Sequence, residues 1–532
     1  MLASDALVRT PPRTLAELVA ALPPEARAQF IPDPSGAGVH SDARLPILRD
    51  DSRRVGPGVA FVAVPGLSSD GHRFLAQAEA AGAALTIVDR ARIVDPGVRV
   101  GACPRIELDD MGAHLPALAA AWQGWPGERL QLAGITGTNG KTTCAHLLAA
   151  VFRHPAVAAP HLRLGTTGNW LVDAEVSASF TTPFPVELQS LLALALTKGA
   201  THGVMEVSSH ALAQRRAAPL RYAAVAMTSF SQDHLDYHPD MEAYLAAKCL
   251  LAAEHCRPGG LAIAPREQGA AADAFLHAAA EAGVERRWRC SRDPSHPAEI
   301  RVLADLADPG SGLGVRLATP AGSVVLRSPL VGAFNLDNLM VVLGLGLGLG
   351  LELEAIADAL RTATGAPGRL ERVEWVERVE SGGVGPAVYV DYAHTPDAVA
   401  RAIEALRPVT RGKLIVVLGC GGDRDASKRP LMGRVASLGA DRLVATSDNP
   451  RTEDPAAIVD QMIAGVAPVD AGGAELIREV DRGRAIALAV AEADEDDVLL
   501  IAGKGHEDYQ ILGTSKIHFD DREHAAAALR AR

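Results

Sequence analysis

A chain of 532 residues exceeds what one hydrophobic core can organise and predicts about three domains. Its 48% hydrophobic and 22% charged content is that of a globular protein in water, and a net charge of −12 without a basic run argues against a nucleic-acid partner. Six cysteines without metal-ligand spacing read as reduced thiols; MLASDALVRTPPRT lacks a signal-peptide core, and the longest apolar run, 339–351, is too short for a bilayer, so a cytoplasmic protein with no membrane insertion is expected, with a monomer as the default that nothing in the sequence decides.

Taken in chain order, the first block runs to about Gly127, mixing strands such as 59–64 and 85–88 with Ala-rich helices, and ends at the turn Trp125-Pro126-Gly127. The second opens with a buried strand over 129–136 and a helix over 141–152, then alternates strands and helices to about Ala366, where 365–368 (GAPG) reads as a hinge. The third repeats the alternation, with strands at 387–391, 414–418, 442–447 and 498–502. Such alternation predicts α/β architecture with parallel sheets covered by helices, in domains 1–127, 128–366 and 367–532. The Gly/Leu repeat at 344–351 has a strand-like period of two, although an apolar helix following Asn335 and Asn338 fits its length better. Each helical glycine costs about 1 kcal/mol.

The strongest chemical signal is GITGTNGKTT, 134–143. Gly137, Thr138, Asn139 and Gly140 form a turn whose backbone N–H groups can close around phosphate oxygens. Lys141 supplies a point charge for the terminal phosphates, a hydroxyl of Thr142 or Thr143 can ligate Mg²⁺, and the following helix adds its dipole. The general pattern wants a glycine where this chain has Ile135, but the strand–loop–helix context is the required one. ATP is the expected nucleotide.

Glu206 closes a short apolar run in HGVMEVSSH, and a strand-end acid in a nucleotide-binding sheet is where Mg²⁺ is held directly or through water. The bland alternative is a solvated glutamate. Asp233, His234, Asp236 and His238 crowd into six positions of SQDHLDYH, a density more typical of a site than of structure. On the next helix, opened by Pro239-Asp240, Lys248 shares an apolar stripe with Met241, Tyr244 and Leu245. An ammonium there is expensive unless the side chain snorkels back to water.

Four strand-end loops in the third block are rich in glycine and charge: 391–397 (DYAHTPD), 419–425 (GCGGDRD), 448–451 (DNPR) and 503–508 (GKGHED). Ligands of open α/β sheets bind beyond the carboxyl ends of the strands, so the four loops predict a second binding face. Arg424 and Arg451 can hold carboxylates, and Glu507 can accept from an amine. The face suits a small zwitterion.

GTNGKTT, TTP (181–183), EVSSHAL, DHLDYH, the helix bearing Lys248, FNLDN (334–338), GRLERV, DYAHTPDA, GCGGDRD, DNPR and GKGHEDYQ resemble, in order, the Mur ligases of peptidoglycan synthesis. The resemblance implies an N-terminal α/β uridine-nucleotide domain, a central P-loop ATPase-type domain and a C-terminal Rossmann-like domain. It implies an ATP-dependent ligase adding the third residue of the stem peptide to UDP-N-acetylmuramoyl-L-alanyl-D-glutamate. DNPR marks meso-diaminopimelate rather than L-lysine as that residue. Asp51-Ser52-Arg53 and the loop 66–70 resemble the uridine site, although Arg49-Asp50 departs from the usual Thr-Leu. Thr181, Thr182, Ser208, Gln214 and Arg216 resemble contacts to the peptidyl part, with Phe180 where many relatives carry Asn. Lys248 resembles a lysine that takes up CO₂ as a carbamate, which outweighs snorkelling; the Thr142 hydroxyl, Glu206 and His234 resemble the other magnesium ligands. Asn335, Arg369 and Asp391 resemble adenosine contacts. Arg424, Asp448, Asn449, Pro450, Arg451, Gly503 and Glu507 resemble the diaminopimelate pocket. Pro265-Arg266-Glu267 departs from the Asn and Asp frequent in relatives.

In the implied chemistry ATP phosphorylates the D-glutamyl carboxylate, the amine attacks the acyl phosphate, and domain closure excludes water. Three rival readings stand beside this one. Folylpolyglutamate synthase shares a related loop but lacks a long domain before it, whereas 133 residues precede Gly134 here. The L-lysine-adding ligase is separated only by DNPR. A non-catalytic nucleotide-binding homologue should have lost Lys141, Glu206, His234 or Lys248, and all four are present.

Overall fold

The computed structural model describes residues 14–35, 38–43, 47–66, 69–307, 312–373 and 385–532. Most of the amino-terminal stretch read for a signal peptide, and Leu67 and Ser68 of the expected uridine loop, lie outside the described residues. The chain packs as two compact units, one of Met1–Cys290 with Gly344–Glu352, the other of Ser291–Leu343 with Leu353–Arg532.

The first unit holds two sheets. Strands β1 (Gln29–Ile31), β2 (Ile47–Arg49), β3 (Val59–Val62), β4 (Leu85–Asp89) and β5 (Arg105–Leu108) are ordered β1-β5-β4-β3-β2, parallel except for β1. Every residue of β3 and β4 is buried, as expected of strands covered on both faces. Leu48, Val62, Ile87 and Leu108 pack with Leu115 and Leu118 of the helix Met111–Trp122.

The next strands are β6 (Gln131–Thr136), β7 (His161–Leu164), β8 (Asn169–Leu171), β9 (Ala174–Val176), β10 (His202–Glu206), β11 (Tyr222–Met227), β12 (Cys256–Pro265) and β13 (Arg286–Ser291). Their order is β13-β12-β11-β6-β10-β7-β8-β9, with β8 and β9 antiparallel and the rest parallel. The central strand β6 therefore has β10 on one side and β11 on the other. Strand order reverses there, and the crevice beyond the carboxyl ends at such a point is where open α/β sheets bind ligands. β6 begins at Gln131 rather than at 129 because Pro126–Arg129 form a 3₁₀ turn. The Gly/Leu repeat is helical through Gly348, in the helix Ala333–Gly348, whose Leu339, Leu343 and Leu345 are fully buried. An all-round apolar helix is stable only when packed on all sides; Gly348 lies close over Leu261 and Ala224, where no side chain fits without displacing them.

In the second unit β14 (Ile300–Asp305), β15 (Leu313–Thr319) and β16 (Gly322–Ser328) form an antiparallel meander, a departure from the expected helix–strand alternation. The turn at Thr319–Gly322 closes its second hairpin. Strands β17 (Glu371–Arg372), β18 (Ala387–Asp391), β19 (Leu414–Cys420), β20 (Arg442–Ser447), β21 (Glu475–Arg478) and β22 (Val498–Ala502) are ordered β17-β18-β22-β19-β20-β21, parallel except for β17. β18, β20 and β22 fall where the periodicity places them; β19 runs two residues further, to Cys420. Separate apolar layers cover the two faces of this sheet, one led by Leu414, Leu443 and Leu500, the other by Ile415, Val444 and Ile501. A hairpin of β23 (Tyr509–Leu512) and β24 (Ser515–His518) follows β22. Among the described residues, no helix is long and apolar enough to cross a membrane.

Candidate active site

The loop expected to hold phosphates leaves β6 at Thr136 and enters the helix Lys141–Arg153. Gly137 has φ +148°, and a Cβ there would collide with the Thr228 hydroxyl, so only glycine fits. The segment after β11 braces the loop: Thr138 N–H donates to Ser229 O (2.8 Å), Asn139 N–H to Ser229 Oγ (2.8 Å), and Thr228 Oγ1 to Asn139 O (2.5 Å). Gly140, at φ +88°, precedes the first helical turn, and Lys141 Nζ arches back to Gly137 O (2.8 Å) and Thr138 O (3.0 Å). Thr142 and Thr143 are both buried, but Thr142 is the one that reaches the neighbouring strand, donating from Oγ1 to Glu206 Oε2 over 2.8 Å.

Glu206 ends β10 and is buried, so it is not the solvated strand-end glutamate of the bland reading. Its Oε1 accepts from Thr166 N–H (3.0 Å) and its Oε2 from Thr166 Oγ1 (3.1 Å), which also meets Thr181 Oγ1 at 3.0 Å. Thr182 Oγ1 donates to Glu206 O (2.9 Å) and accepts from Ser208 N–H (3.1 Å). Arg216 donates from Nε to Gln214 Oε1 (2.9 Å), while Gln214 Nε2 donates to Tyr237 OH (3.2 Å). The Arg216 guanidinium lies 3.9 Å from the Phe184 ring centroid and 5.6 Å from that of Phe180. Thr181, Thr182, Ser208, Gln214 and Arg216 thus share one neighbourhood beside Glu206. Ser52 opens the 3₁₀ turn Ser52–Arg54 after β2 and shares no hydrogen bond with that group among the described residues. Thr166, which ties Glu206 to Thr181, was not expected from the sequence; the Thr pair in LGTTGN after β7 was the only cue.

Asp240 caps the helix Met241–His255, accepting from Ala243 N–H at 2.7 Å. Lys248 on that helix is 1% exposed, so its head does not snorkel to water; Nζ lies 4.3 Å from the Tyr244 ring centroid. Burial, and after it the Lys141 charge, draws the Lys248 pKa well below the ordinary lysine value. His234, at φ +54°, packs edge-on against His210 (4.8 Å between centroids) and Tyr244 (5.9 Å). Burial lowers the pKa of His210, His234 and His238, so these imidazoles favour the neutral form that can ligate a metal. Among the described residues, no three His, Cys, Asp or Glu side chains are arranged to hold a metal by themselves. The adjacent Thr142 hydroxyl and Glu206 carboxylate are hard oxygen donors of the kind Mg²⁺ prefers.

In the second unit, Asn335 lies in the first turn of the helix Ala333–Gly348: Nδ2 donates to Val331 O (2.8 Å) and Oδ1 accepts from Asn338 Nδ2 (3.0 Å). Asp391, at the end of β18, accepts from Leu370 N–H (2.7 Å) and Ala393 N–H (2.8 Å), and burial raises its pKa against the pull of Arg369. The Arg369 guanidinium lies over Tyr392, 4.8 Å from its centroid.

Loops after β19, β20 and β22 interlock. Asn449 Nδ2 donates to Glu507 Oε2 (2.8 Å). Arg451, at φ +53°, donates from Nη1 to Gly422 O (2.6 Å), and its backbone is tied to Ile511 O and Gly513 N–H. Pro450 separates these two residues, while Gly422 N–H donates to Asn449 O (2.9 Å). Gly503 has φ +119°, and a Cβ there would come within 2.7 Å of Asp448 Oδ2. Arg424 is exposed on the loop after β19. Two cations here escaped the sequence reading. Lys504, inside GKGHED, is fully buried among Asp448, Asn449 and Glu507. Arg482 pairs bidentately with Asp521 at 2.7 Å and donates to Ser447 O (3.2 Å) and Ala502 O (3.0 Å), the last residues of β20 and β22.

Comparison with known proteins agrees with this arrangement. Residues 47–121 match the model described as Mur ligase family, catalytic domain; 135–346 the Mur ligase middle domain; and 368–505 the Mur ligase, glutamate ligase domain. The chain is 45% identical over 486 residues to a UDP-N-acetylmuramoyl-L-alanyl-D-glutamate–2,6-diaminopimelate ligase of Gloeobacter violaceus, covering 91% of this chain and 94% of the relative. A Synechococcus protein of the same name is 44% identical over 507 residues, 95% of this chain and 98% of its own. A solved structure of a ligase so named superposes with TM-score 0.65 at 30% identity, covering 94% of this chain and 99% of that one. The MurF ligase of Thermotoga maritima, solved with ADP, shares the fold at TM-score 0.58 and 17% identity, over 91% and 97% of the two chains. The chain belongs to the Mur ligase family.

Proposed function

We propose that the protein joins meso-diaminopimelate to UDP-N-acetylmuramoyl-L-alanyl-D-glutamate, converting ATP to ADP and phosphate, in the building of peptidoglycan precursors. The observation that carries this reading is the likeness, over more than nine-tenths of the chain, to ligases bearing that name. The substrates are small molecules, and the enzyme acts as a cytoplasmic monomer. Its domains are 1–127 for the uridine nucleotide, 128–366 for ATP and 367–532 for the amino acid.

Gly137 to Thr143 hold the ATP phosphates, with Lys141 as the positioning charge. Asn335, Arg369 and Asp391 hold the adenosine. Ser52 contacts the uridine nucleotide, and Thr181, Thr182, Ser208, Gln214 and Arg216 hold the peptidyl arm so that its terminal carboxylate meets the phosphate. Two anions meet in that step, and Lys141 offsets their repulsion. Once the carboxylate is phosphorylated, the amine of diaminopimelate attacks its carbonyl carbon and phosphate leaves. Arg424, Asp448, Asn449, Pro450, Arg451, Gly503 and Glu507 form the amino-acid pocket, and Arg451 meets the distal carboxylate. The Thr142 hydroxyl, Glu206, His234 and Lys248 as a CO₂-derived carbamate would hold magnesium, which supplies charge stabilisation for phosphoryl transfer. Burial of Lys248 favours the neutral amine that can react with CO₂.

Incubation with ATP, UDP-N-acetylmuramoyl-L-alanyl-D-glutamate and either meso-diaminopimelate or L-lysine, followed by mass measurement, tests the reading. A tripeptide product with diaminopimelate alone is expected. Product with lysine alone would transfer the protein to the lysine-adding branch.

A further inference from the structure

Lys504 is 0% exposed, and its ammonium lies 3.2 Å from Asn449 Oδ1, 3.3 Å from Glu507 Oε2 and 3.5 Å from Asp448 Oδ1. A buried ammonium persists only where carboxylates and acceptors surround it. Here two carboxylates face one ammonium, leaving one net negative charge in the cluster. The Asn449 amide is orientationally fixed by the same contact. Its Oδ1 accepts from both Lys504 Nζ and Ile511 N–H (3.0 Å), so its nitrogen must face the other way, where it donates to Glu507. Without the Lys504 donor, one of the three contacts that distinguish the amide's ends is gone, and the only charged one on its oxygen. Asp448 Oδ1 is buried and, although near Lys504, accepts no hydrogen bond among the described residues. A buried acceptor in that condition has capacity for a donor from a ligand.

We propose that Lys504 is a positioning residue for the amino-acid acceptor. It orients the Asn449 amide and holds Asp448 and Glu507 at a single net negative charge, matched to one substrate ammonium, without touching the substrate. This rests on the reading that these loops bind the amino acid. Lysine is suited to the task because its donors radiate from a point, reaching Asn449 on one loop and Glu507 on the other while its charge faces Asp448.

The test is a steady-state comparison of wild type, Lys504→Met, Asn449→Ala and the double variant, with melting temperatures measured alongside. Lys504→Met should raise KM for diaminopimelate about tenfold or more, in line with the loss of charge-assisted hydrogen bonds. The KM values for ATP and for the uridine nucleotide should stay within about twofold. In the double variant the effect of Lys504→Met should largely vanish, because the residue it orients is gone. If Lys504→Met fails to fold, Lys504→Gln keeps a donor to Asn449 without the charge and should show a smaller rise of the same kind. Equal rises in all three KM values, or additive effects in the cycle, would overturn the proposal. If wild type instead uses L-lysine, the functional reading fails while the same cycle, run with lysine, still decides the role of Lys504.

Discussion

Thr142 Oγ1 donates to Glu206 Oε2 across 2.8 Å, linking the first turn after the phosphate loop to the end of the adjacent strand, two segments 64 residues apart in sequence. Thr142→Val keeps the shape and removes the donor, leaving a buried carboxylate with one fewer partner. A loss of about 1–3 kcal/mol in denaturant titrations is expected, together with a fall in turnover that exceeds any change in affinity for the uridine nucleotide.

Lys141→Ala should lower phosphate release by a hundredfold or more, on the order of what removal of one preorganised transition-state donor costs. Binding of the uridine nucleotide, followed by calorimetry, should be unaffected. Full activity would refute the assignment of the phosphate loop.

Lys248 should carry a carbamate. Protein equilibrated with ¹³C-bicarbonate is expected to show a carbamate carbonyl resonance that is absent in Lys248→Ala. That variant should be nearly inactive and partly rescued by acetate, a small carboxylate able to replace the missing one. An unmodified ammonium in a well-resolved magnesium-bound crystal structure would sink the idea.

Arg451→Ala should lose efficiency with diaminopimelate by roughly ten- to a hundredfold, the value of a charge-assisted pair, while KM for ATP changes little. The guanidinium is already oriented by Gly422 O at 2.6 Å, so little ordering remains to be done on binding. An unchanged preference for diaminopimelate over lysine in the variant would remove this loop as the selector.

Acid should loosen the same loops. Arg429 donates to both oxygens of Glu453 at 2.8 Å, and Asp423 N–H adds a third bond, holding the Glu453 pKa down at about 2. The folded value lies below the ordinary 4.5, so the stabilisation is complete above pH 4.5 and disappears as pH falls through about 2. In Glu453→Gln, acid titration of stability between these limits should be shallower. An identical acid limb would show that the pair contributes nothing.

Much of the candidate site's geometry was legible in the sequence because the segments that build it are local. A phosphate loop needs contiguous residues between a strand and a helix, and strand-end acids such as Glu206 and Asp391 announce themselves where apolar runs stop. Lys248 was legible as an anomaly, a cation on an apolar stripe, and its 1% exposure shows that the anomaly is real. What stayed hidden depends on topology. Thr166 reaches Glu206 across 40 residues because β7 pairs with β10, and Lys504 reaches Asn449 across 55 because β20 and β22 flank β19 and deliver their loops to one edge. The meander at 300–328 was missed because its alternation is imperfect: β16 buries little besides Leu326 and Ser328. The Gly/Leu repeat was ambiguous by period; a packing requirement, not propensity, made it a helix.

The Arg482–Asp521 pair makes the ends of β20 and β22 depend on a helix that follows both in sequence. Arg482 fastens the ends of β20 and β22, yet its counter-charge belongs to the helix Asp521–Ala531, 39 residues later. In a folded domain without that helix the guanidinium would be buried without its carboxylate, a defect that costs about 3–5 kcal/mol. Chains lacking Asp521 and the helix it opens should therefore have loosened ends of β20 and β22 and be open to proteolysis in the loops that follow them.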